Sequence, residues 1–283
     1  MGPLRALVAD GHDVALVVSR PDRKRGRGGA LVPSPVKAAA LELGIRVTEQ
    51  VDDVVDLGAD LGVVVAFGRL IRPHVLDVLP HVNLHFSLLP RWRGAAPVER
   101  AILAGDVTTG VCVMALEEGL DTGPVYASAT VDIPPEGTAD ELRTTLAGVG
   151  TDLLLSVLRD GLPEPRPQEG EPTYAAKIEP EDHHLDWSRA AVDLHRVVRL
   201  GQAWTTFRGS RIKVRKARLA TTDDVPRPGA LDSGRLVVGT AEGGLELVEV
   251  QPEGRPVQAA TAWRNGARLA PTERLGGGQS TDG

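Results

Sequence analysis

Val82-Asn-Leu-His-Phe-Ser-Leu-Leu-Pro-Arg-Trp-Arg-Gly-Ala-Ala-Pro97 carries the most informative pattern in the chain. It opens as a short alternating apolar run that ends in polar groups. Residues two apart on an extended strand share a face, so Asn83 and His85 place an amide and an imidazole side by side. The chain then leaves the strand through Ser87, the rigid Pro90 and the flexible Arg93-Gly94. A helix is predicted to begin near Pro97, where a missing amide donor costs nothing. Polar groups at the carboxyl end of a strand, followed by a loop and a helix, sit where open α/β sheets build their sites.

Working outward, strands and helices alternate. Pro3 to Ala9 reads as a helix stopped by Gly11, Val14 to Val18 as a short buried strand, Pro35 to Gly44 as an amphipathic helix and Ile45 to Thr48 as a strand. The continuous apolar run Leu61 to Phe67 is of the kind found inside parallel sheets. Downstream, Val98 to Ala104 makes a helix closed by Gly105, and segments 109 to 116 and 124 to 132 make two further strands. Thr138-Ala-Asp-Glu141 forms a capping box that opens a helix running to about Arg159. This alternation predicts a doubly wound α/β domain with a mostly parallel sheet over residues 1 to 160.

Gly119-Leu-Asp-Thr-Gly123 lies between the last two of those strands and puts one carboxylate between two glycines. Glycines there let the backbone take left-handed turns and approach a planar ligand closely. If that loop folds back, Asp121 reaches His85. An acid bonded to one ring nitrogen fixes the tautomer and leaves the other nitrogen for chemistry.

Gly161 to Pro172 holds four prolines and three glutamates, a composition that reads as a linker over 161–175. A second unit is predicted over 176–270. Its helix at 189–200 precedes short strands near 203–207, 211–219, 229–238 and 244–250 and a helix near 257–264, a pattern that suggests a small barrel. Residues 271–283 are rich in Gly, Ser and Thr and read as a disordered tail.

The whole chain sets bounds on function. Its 283 residues suffice for two cores, and 42% hydrophobic with 25% charged residues is the composition of an ordinary globular protein. A net charge of −6 argues against nucleic-acid binding over the whole surface but leaves room for local basic faces. Two such faces are present. Arg20 to Arg27 carries five basic residues and one acid, a loop suited either to phosphates or simply to solvent, and Arg189 to Arg218 carries nine Lys or Arg against Asp193 alone. Alternation puts Arg211, Lys213 and Arg215 on one face of a strand. Cys112, the only cysteine, rules out an intramolecular disulfide and a cysteine zinc cluster, and its apolar neighbours mark it as a buried thiol. His183-His184 lacks metal-ligand spacing. No run reaches the roughly 18 apolar residues of a membrane span, and no secretory leader is recognisable.

Asn83-x-His85-x-Ser87-Leu88-Leu89-Pro90-x-x-Arg93-Gly94, with Leu120-Asp121-Thr122-Gly123 downstream, resembles the signature of the 10-formyltetrahydrofolate-dependent formyltransferases. The similarity runs from about residue 3 to about residue 270. The longer stretches 87–97 and 21–37 are most similar to the members that formylate methionyl-tRNA. The resemblance implies that Asn83, His85 and Asp121 are the catalytic trio. It implies that Ser87, Leu88, Leu89, Pro90, Phe67, Gly68 and Leu70 edge the pterin pocket, with 10-formyltetrahydrofolate as formyl donor and no metal. The partner it implies is initiator methionyl-tRNA, contacted by Arg23, Lys24, Arg25 and Arg27 and by Arg211, Lys213 and Arg215 of an OB-like second domain. A role in translation initiation follows from the same resemblance; cytoplasmic residence is expected by default, from the lack of a recognisable leader or span, and a monomer is expected. In the family a strand and a glycine-containing loop precede the first helix, and this sequence, read from Met1, is expected to lack both. Other readings stay open: formyl transfer to an amino sugar nucleotide or other small amine, folate hydrolysis, or a catalytically impaired tRNA- or folate-binding relative.

Overall fold

The computed structural model describes residues 2–25, 29–159, 161–222 and 224–276. The chain divides into two compact units, one built from Met1–Val98, Thr108–Asp132 and Arg143–Ala176, the other from Glu99–Val107, Ile133–Leu142 and Lys177–Gly283.

The first unit opens with helix α1 (Gly2–Ala9) and strand β1 (Val17–Val18), shorter than the run from Val14 suggested. The run that begins with the basic residues Arg20 to Arg27, expected as a loop, contains a hairpin of β2 (Arg23–Arg25) and β3 (Ala30–Val32), paired antiparallel from Arg23 with Val32 to Arg25 with Ala30. Helix α2 (Pro35–Glu42) starts where sequence places it, because Ser34 Oγ accepts the Lys37 amide at 3.1 Å and Pro35 occupies the first turn. Strand β4 (Val47–Thr48) pairs parallel with β1.

Strand β5 (Gly62–Val65), helix α3 (Pro73–Leu76), strand β6 (His81–His85), strand β7 (Arg93–Gly94) and helix α4 (Pro97–Ala104) follow. Strands β8 (Thr108–Ala115) and β9 (Val125–Asp132) complete a four-stranded sheet of order β5-β6-β8-β9. β5 and β6 are parallel, whereas β8 and β9 run antiparallel to their neighbours. The loop between β8 and β9 is too short for the crossover that a parallel pair needs.

Every residue of β6 is buried, with Val82 and Leu84 at 1% and 4% exposure on the face opposite the polar pair. Burying each such side chain contributes about 1.5–3 kcal/mol, so apolar packing on one face holds Asn83 and His85 in place on the other. β5 departs from its expected burial. All four residues are only half-buried, and among the described residues β5 is an edge strand paired with β6 alone.

Helix α5 (Ala139–Arg159) is opened by the expected box, in which the Thr138 amide donates to Glu141 Oε2 at 2.8 Å and the Glu141 amide to Thr138 Oγ1 at 3.3 Å. Residues 161–175, expected as a linker, pack within the first unit and end in β10 (Tyr174–Ala175), paired parallel with β7. The prolines exclude regular structure over most of this run but leave its carbonyls and polar side chains free to bond.

In the second unit, helix α6 (Ala191–Arg199) precedes strands β11 (Trp204–Phe207), β12 (Ser210–Leu219), β13 (Ala230–Asp232), β14 (Val237–Gly239) and β15 (Gly244–Pro252). β13 and β14 divide the single strand expected near 229–238, with Leu236 in a left-handed turn between them. Strand β16 (Gln258–Ala259), helix α7 (Ala260–Ala267) and strand β17 (Thr272–Arg274) finish the unit. The sheet runs β11-β12-β15-β14-β13-β17 and curls until Phe207 bridges Leu275 and the Gly276 amide donates to the Thr206 carbonyl at 2.9 Å. A nearly closed antiparallel barrel results, filled by Leu185, Trp187, Leu194, Val214, Leu231, Leu245 and Leu275.

Residues 271–276 are therefore not a loose tail. Thr272–Arg274 forms an edge strand, and Leu275, 2% exposed, belongs to the barrel core. The rest of the expected tail, 277–283, lies outside the described residues.

Candidate active site

Asn83 and His85 project from one face of β6, and Asp121 meets them from the loop between β8 and β9. His85 Nδ1 lies 3.6 Å from Asp121 Oδ2, with the two side chains 5% and 12% exposed. Asn83 Nδ2 donates to Asp121 Oδ1 at 3.5 Å. Asp121 takes a left-handed conformation, φ 49°, which a short polar side chain tolerates and which turns its carboxylate back toward the sheet. Gly123 permits this return, since a Cβ there would stand 2.0 Å from the Ala115 carbonyl oxygen.

The carboxylate is further fixed by the backbone. The Gly94 amide donates to Asp121 Oδ2 at 2.8 Å, so the second loop of the site, 86–96, holds the acid directly. Gly94 sits at φ 118°, and an added Cβ would lie 2.9 Å from the Ala175 carbonyl oxygen. Arg93-Gly94, expected to be flexible, is instead pinned in β7. On the other side of the imidazole, Nε2 donates to the Trp92 carbonyl at 2.8 Å. Nε2 is thus occupied and Nδ1 faces the Asp121 carboxylate, so neither ring nitrogen stands clear for chemistry as the simple expectation had it. Trp92 also adopts φ 62°, which presents its carbonyl inward.

The motif residues after β6 divide by role. Ser87 is fully buried and donates to the Arg91 carbonyl at 2.5 Å, so its hydroxyl shapes the loop. Leu88 packs over Gly110 of β8, where a Cβ would come within 2.4 Å of its side chain. Leu89 and Pro90 are half-buried. Because Val65 and Leu84 are parallel partners, the turn holding Phe67 and Gly68 leaves the sheet at the same, carboxyl, end of the strands as His85. Phe67 is half-buried beneath the Arg69 guanidinium at 4.8 Å, Gly68 is left-handed at φ 67°, and Leu70 is 77% exposed.

The Ser87 hydroxyl and the Cys112 thiol, both close to the trio, are not poised as nucleophiles. Ser87 is committed to a carbonyl, and burial pushes the thiol of Cys112, the β8 partner of His85, above its ordinary pKa. An amide donor, an imidazole and a fixed carboxylate suit direct acyl transfer to an incoming amine. Among the described residues no group of three or more His, Cys, Asp or Glu is arranged to hold a metal ion.

Of the expected tRNA contacts, Arg23 and Lys24 are exposed on β2, the side chain of Arg25 is not described, and Arg27 lies outside the described residues. In the second unit Arg211, Lys213 and Arg215 alternate with buried Ile212 and Val214, as sequence predicted. Arg211 stacks on the Trp204 ring at 3.9 Å, Lys213 donates to Gln202 and Arg215 to the Gly201 carbonyl.

The family model for formyl transferase matches residues 4–158, and that for the formyl transferase C-terminal domain matches residues 177–268. The chain belongs to the formyltransferase family. Within it, methionyl-tRNA formyltransferase from Roseobacter denitrificans is 43% identical over 94% of this chain and 92% of that protein. The methionyl-tRNA formyltransferase from Thermus thermophilus is likewise 43% identical, over the same shares of both chains. Among solved structures, methionyl-tRNA formyltransferase from Clostridium thermocellum superposes with a TM-score of 0.57 over 66% of this chain and 88% of that one, at 18% identity, which speaks to the fold.

Within this formyltransferase frame the structure adds two participants that sequence alone did not single out. Thr173 Oγ1 accepts the Trp92 amide at 2.9 Å, and Gln168 bonds both site loops. Both lie in the proline-rich run read as a linker, where nothing in local composition distinguishes a structural polar residue from a solvated one.

Proposed function

We infer that this chain transfers the formyl group of 10-formyltetrahydrofolate to the amino group of initiator methionyl-tRNA. The observation that carries the reading is the meeting of Asn83, His85 and Asp121 at the carboxyl end of β6, in a chain matched over nearly its whole length by methionyl-tRNA formyltransferases. In the reaction, the free amine of the methionyl group attacks the formyl carbon, a new C–N bond forms, and the bond to the folate nitrogen breaks. The proton lost by the amine ends on that leaving nitrogen.

Each residue has a role in this scheme. Asn83 keeps one amide N–H outside its contact with Asp121 and donates it to the oxyanion, a contribution of about 3–4 kcal/mol by analogy with a single such donor elsewhere. His85 gives up its bond to the Trp92 carbonyl to relay the proton, while Asp121, locked by the Gly94 amide, orients the ring and balances its charge. The turn at Phe67 and Gly68, with exposed Leu70, and the loop backbone at Ser87, Leu88, Leu89 and Pro90 flank the flat pterin. Arg23, Lys24, Arg25 and Arg27 in the first unit, and Arg211, Lys213 and Arg215 in the second, contact tRNA phosphates. Residues 1–160 and 176–270 act as catalytic and tRNA-binding domains. No helix among the described residues is long and apolar enough to cross a membrane, and we place the chain in the cytoplasm as a monomer.

The deciding assay supplies methionyl-tRNA or a small amine, each with 10-formyltetrahydrofolate. Methionyl-tRNA should be formylated with the higher kcat/KM. Changing Arg23, Lys24, Arg25 and Arg27 together to Ala should weaken tRNA use and flatten its salt dependence by roughly 0.7–0.9 in log–log slope per lost phosphate contact. Equal use of an amino sugar nucleotide would overturn the substrate assignment.

A further inference from the structure

Residues 166–175 touch both loops of the active site and contribute to none of the steps described above. Arg166 exchanges backbone hydrogen bonds with Val125, at 2.8 and 2.9 Å. Gln168 Nε2 donates to the Asp121 and Gly123 carbonyls, both at 2.8 Å, while its Oε1 accepts from Arg93 Nε at 3.0 Å and Nη2 at 2.6 Å. Thr173 receives the Trp92 amide on its hydroxyl and the Arg93 amide on its carbonyl, the latter at 2.8 Å, and donates its own amide to the Pro90 carbonyl. Ala175 O accepts the Ala95 and Ala96 amides. One segment therefore laces the loop carrying Asp121 to the loop whose Trp92 carbonyl and Gly94 amide hold His85 and Asp121.

We propose that this strap sets the geometry of the catalytic trio and that Gln168 is its principal positioning residue. The contacts of Gln168 are divided chemically. The amide N–H groups fix the carbonyl of the left-handed Asp121 and that of Gly123 two residues on, and the amide oxygen fixes Arg93, the neighbour of Gly94. A left-handed non-glycine residue at a functional site persists where the surroundings hold it. Gln168 supplies that hold at the residue the reaction uses, and a displacement of about 1 Å at a catalytic group costs up to about 10²-fold in rate.

The proposal rests on the formyl-transfer reading, and the experiment separates the two. Gln168→Met removes all four hydrogen bonds at similar length; Gln168→Glu keeps the Arg93 contact and loses the two donations. Glu169→Gln, an exposed neighbour, is the control. Both Gln168 variants should lower kcat about 10- to 100-fold, with KM for either substrate within about threefold. The ¹⁵N signals of the His85 ring should shift, and the thermal midpoint should stay within a few degrees. Gln168→Met should also cost almost nothing further on top of Asp121→Asn, since groups acting through one another are non-additive. Wild-type inactivity on methionyl-tRNA would sink the function itself. A wild-type-like kcat in Gln168→Glu, or an effect that simply adds to that of Asp121→Asn, would sink the strap while leaving the function standing.

Discussion

Asp121→Asn is the substitution that reads the site most directly. The amide keeps the shape of the carboxylate and can still accept the Gly94 N–H through its oxygen, so the loop should fold as before. Its second pole is now a donor facing Asn83 Nδ2, at what had been a 3.5 Å hydrogen bond, and the negative charge 3.6 Å from His85 Nδ1 is gone. A unit charge pair at that separation is worth about 1 kcal/mol in water and about 4–5 kcal/mol at the effective dielectric of a partly buried site. Both side chains are nearly covered, which puts the loss toward the upper figure, but substrate and water enter the same space. An intermediate value of about 3–4 kcal/mol corresponds to a fall in kcat of about 10² to 10³. Charge on the imidazole develops during proton relay, so the loss should fall on kcat with KM changed by less than about threefold. Single-turnover formylation of labelled methionyl-tRNA, with saturating 10-formyltetrahydrofolate, measures the step. A rate within threefold of the wild type, in a variant with an unchanged thermal midpoint, would show that the carboxylate does not take part through His85.

Further outcomes follow from particular contacts. Gly94→Ala should lower both activity and stability, because its Cβ meets a backbone oxygen of β10 and the residue would be held at φ 118°; a loss of about 1–3 kcal/mol in chemical unfolding is expected. Gly62→Ala should destabilise the first unit by about 1–3 kcal/mol without altering the site chemistry, since the new methyl would fall 2.2 Å from the His81 ring, whose Nδ1 is tied to the Leu79 carbonyl. Burial holds His81 below its ordinary pKa, so the unfolded chain takes up a proton on acidification before the folded one does. The stability that neutral His81 allows is complete above the unfolded value of about 6.5 and is lost as pH falls below it; His81→Asn should flatten the thermal midpoint between pH 7.5 and 5.5, and an unaltered slope would contradict the account.

The parts of the fold legible in the sequence were those written in short-range periodicity. Two-residue alternation put Asn83 and His85 on one face of β6, the box at Thr138 and Glu141 opened α5, and alternation along β12 turned Arg211, Lys213 and Arg215 outward. The acid at position 121 was legible because glycines bracket it, although its distance from the imidazole depends on pairing between strands far apart in the chain. What sequence could not show were interactions made by backbone. The Trp92 carbonyl that occupies Nε2 of His85 and the Gly94 amide that fixes Asp121 leave no trace in residue type. The hairpin of β2 and β3 was hidden under a charge and glycine content that reads as solvated loop, and Gln168 under prolines that read as spacer. Burial of β5 was overestimated for a different reason: an apolar run reports what a strand is suited to, and only its neighbours decide what it receives.

The seam where Leu275 and Gly276 meet Phe207 and Thr206 makes the last described residues the keystone of the second unit. During synthesis, β11 must wait for nearly the entire barrel to emerge from the ribosome before its free edge is covered, so closure is a late, long-range event of the slow kind. A fusion partner attached just after Gly276 would begin at that joint, and shortening the chain to residue 270 would leave β11 and β13 each with an uncovered edge open to self-association.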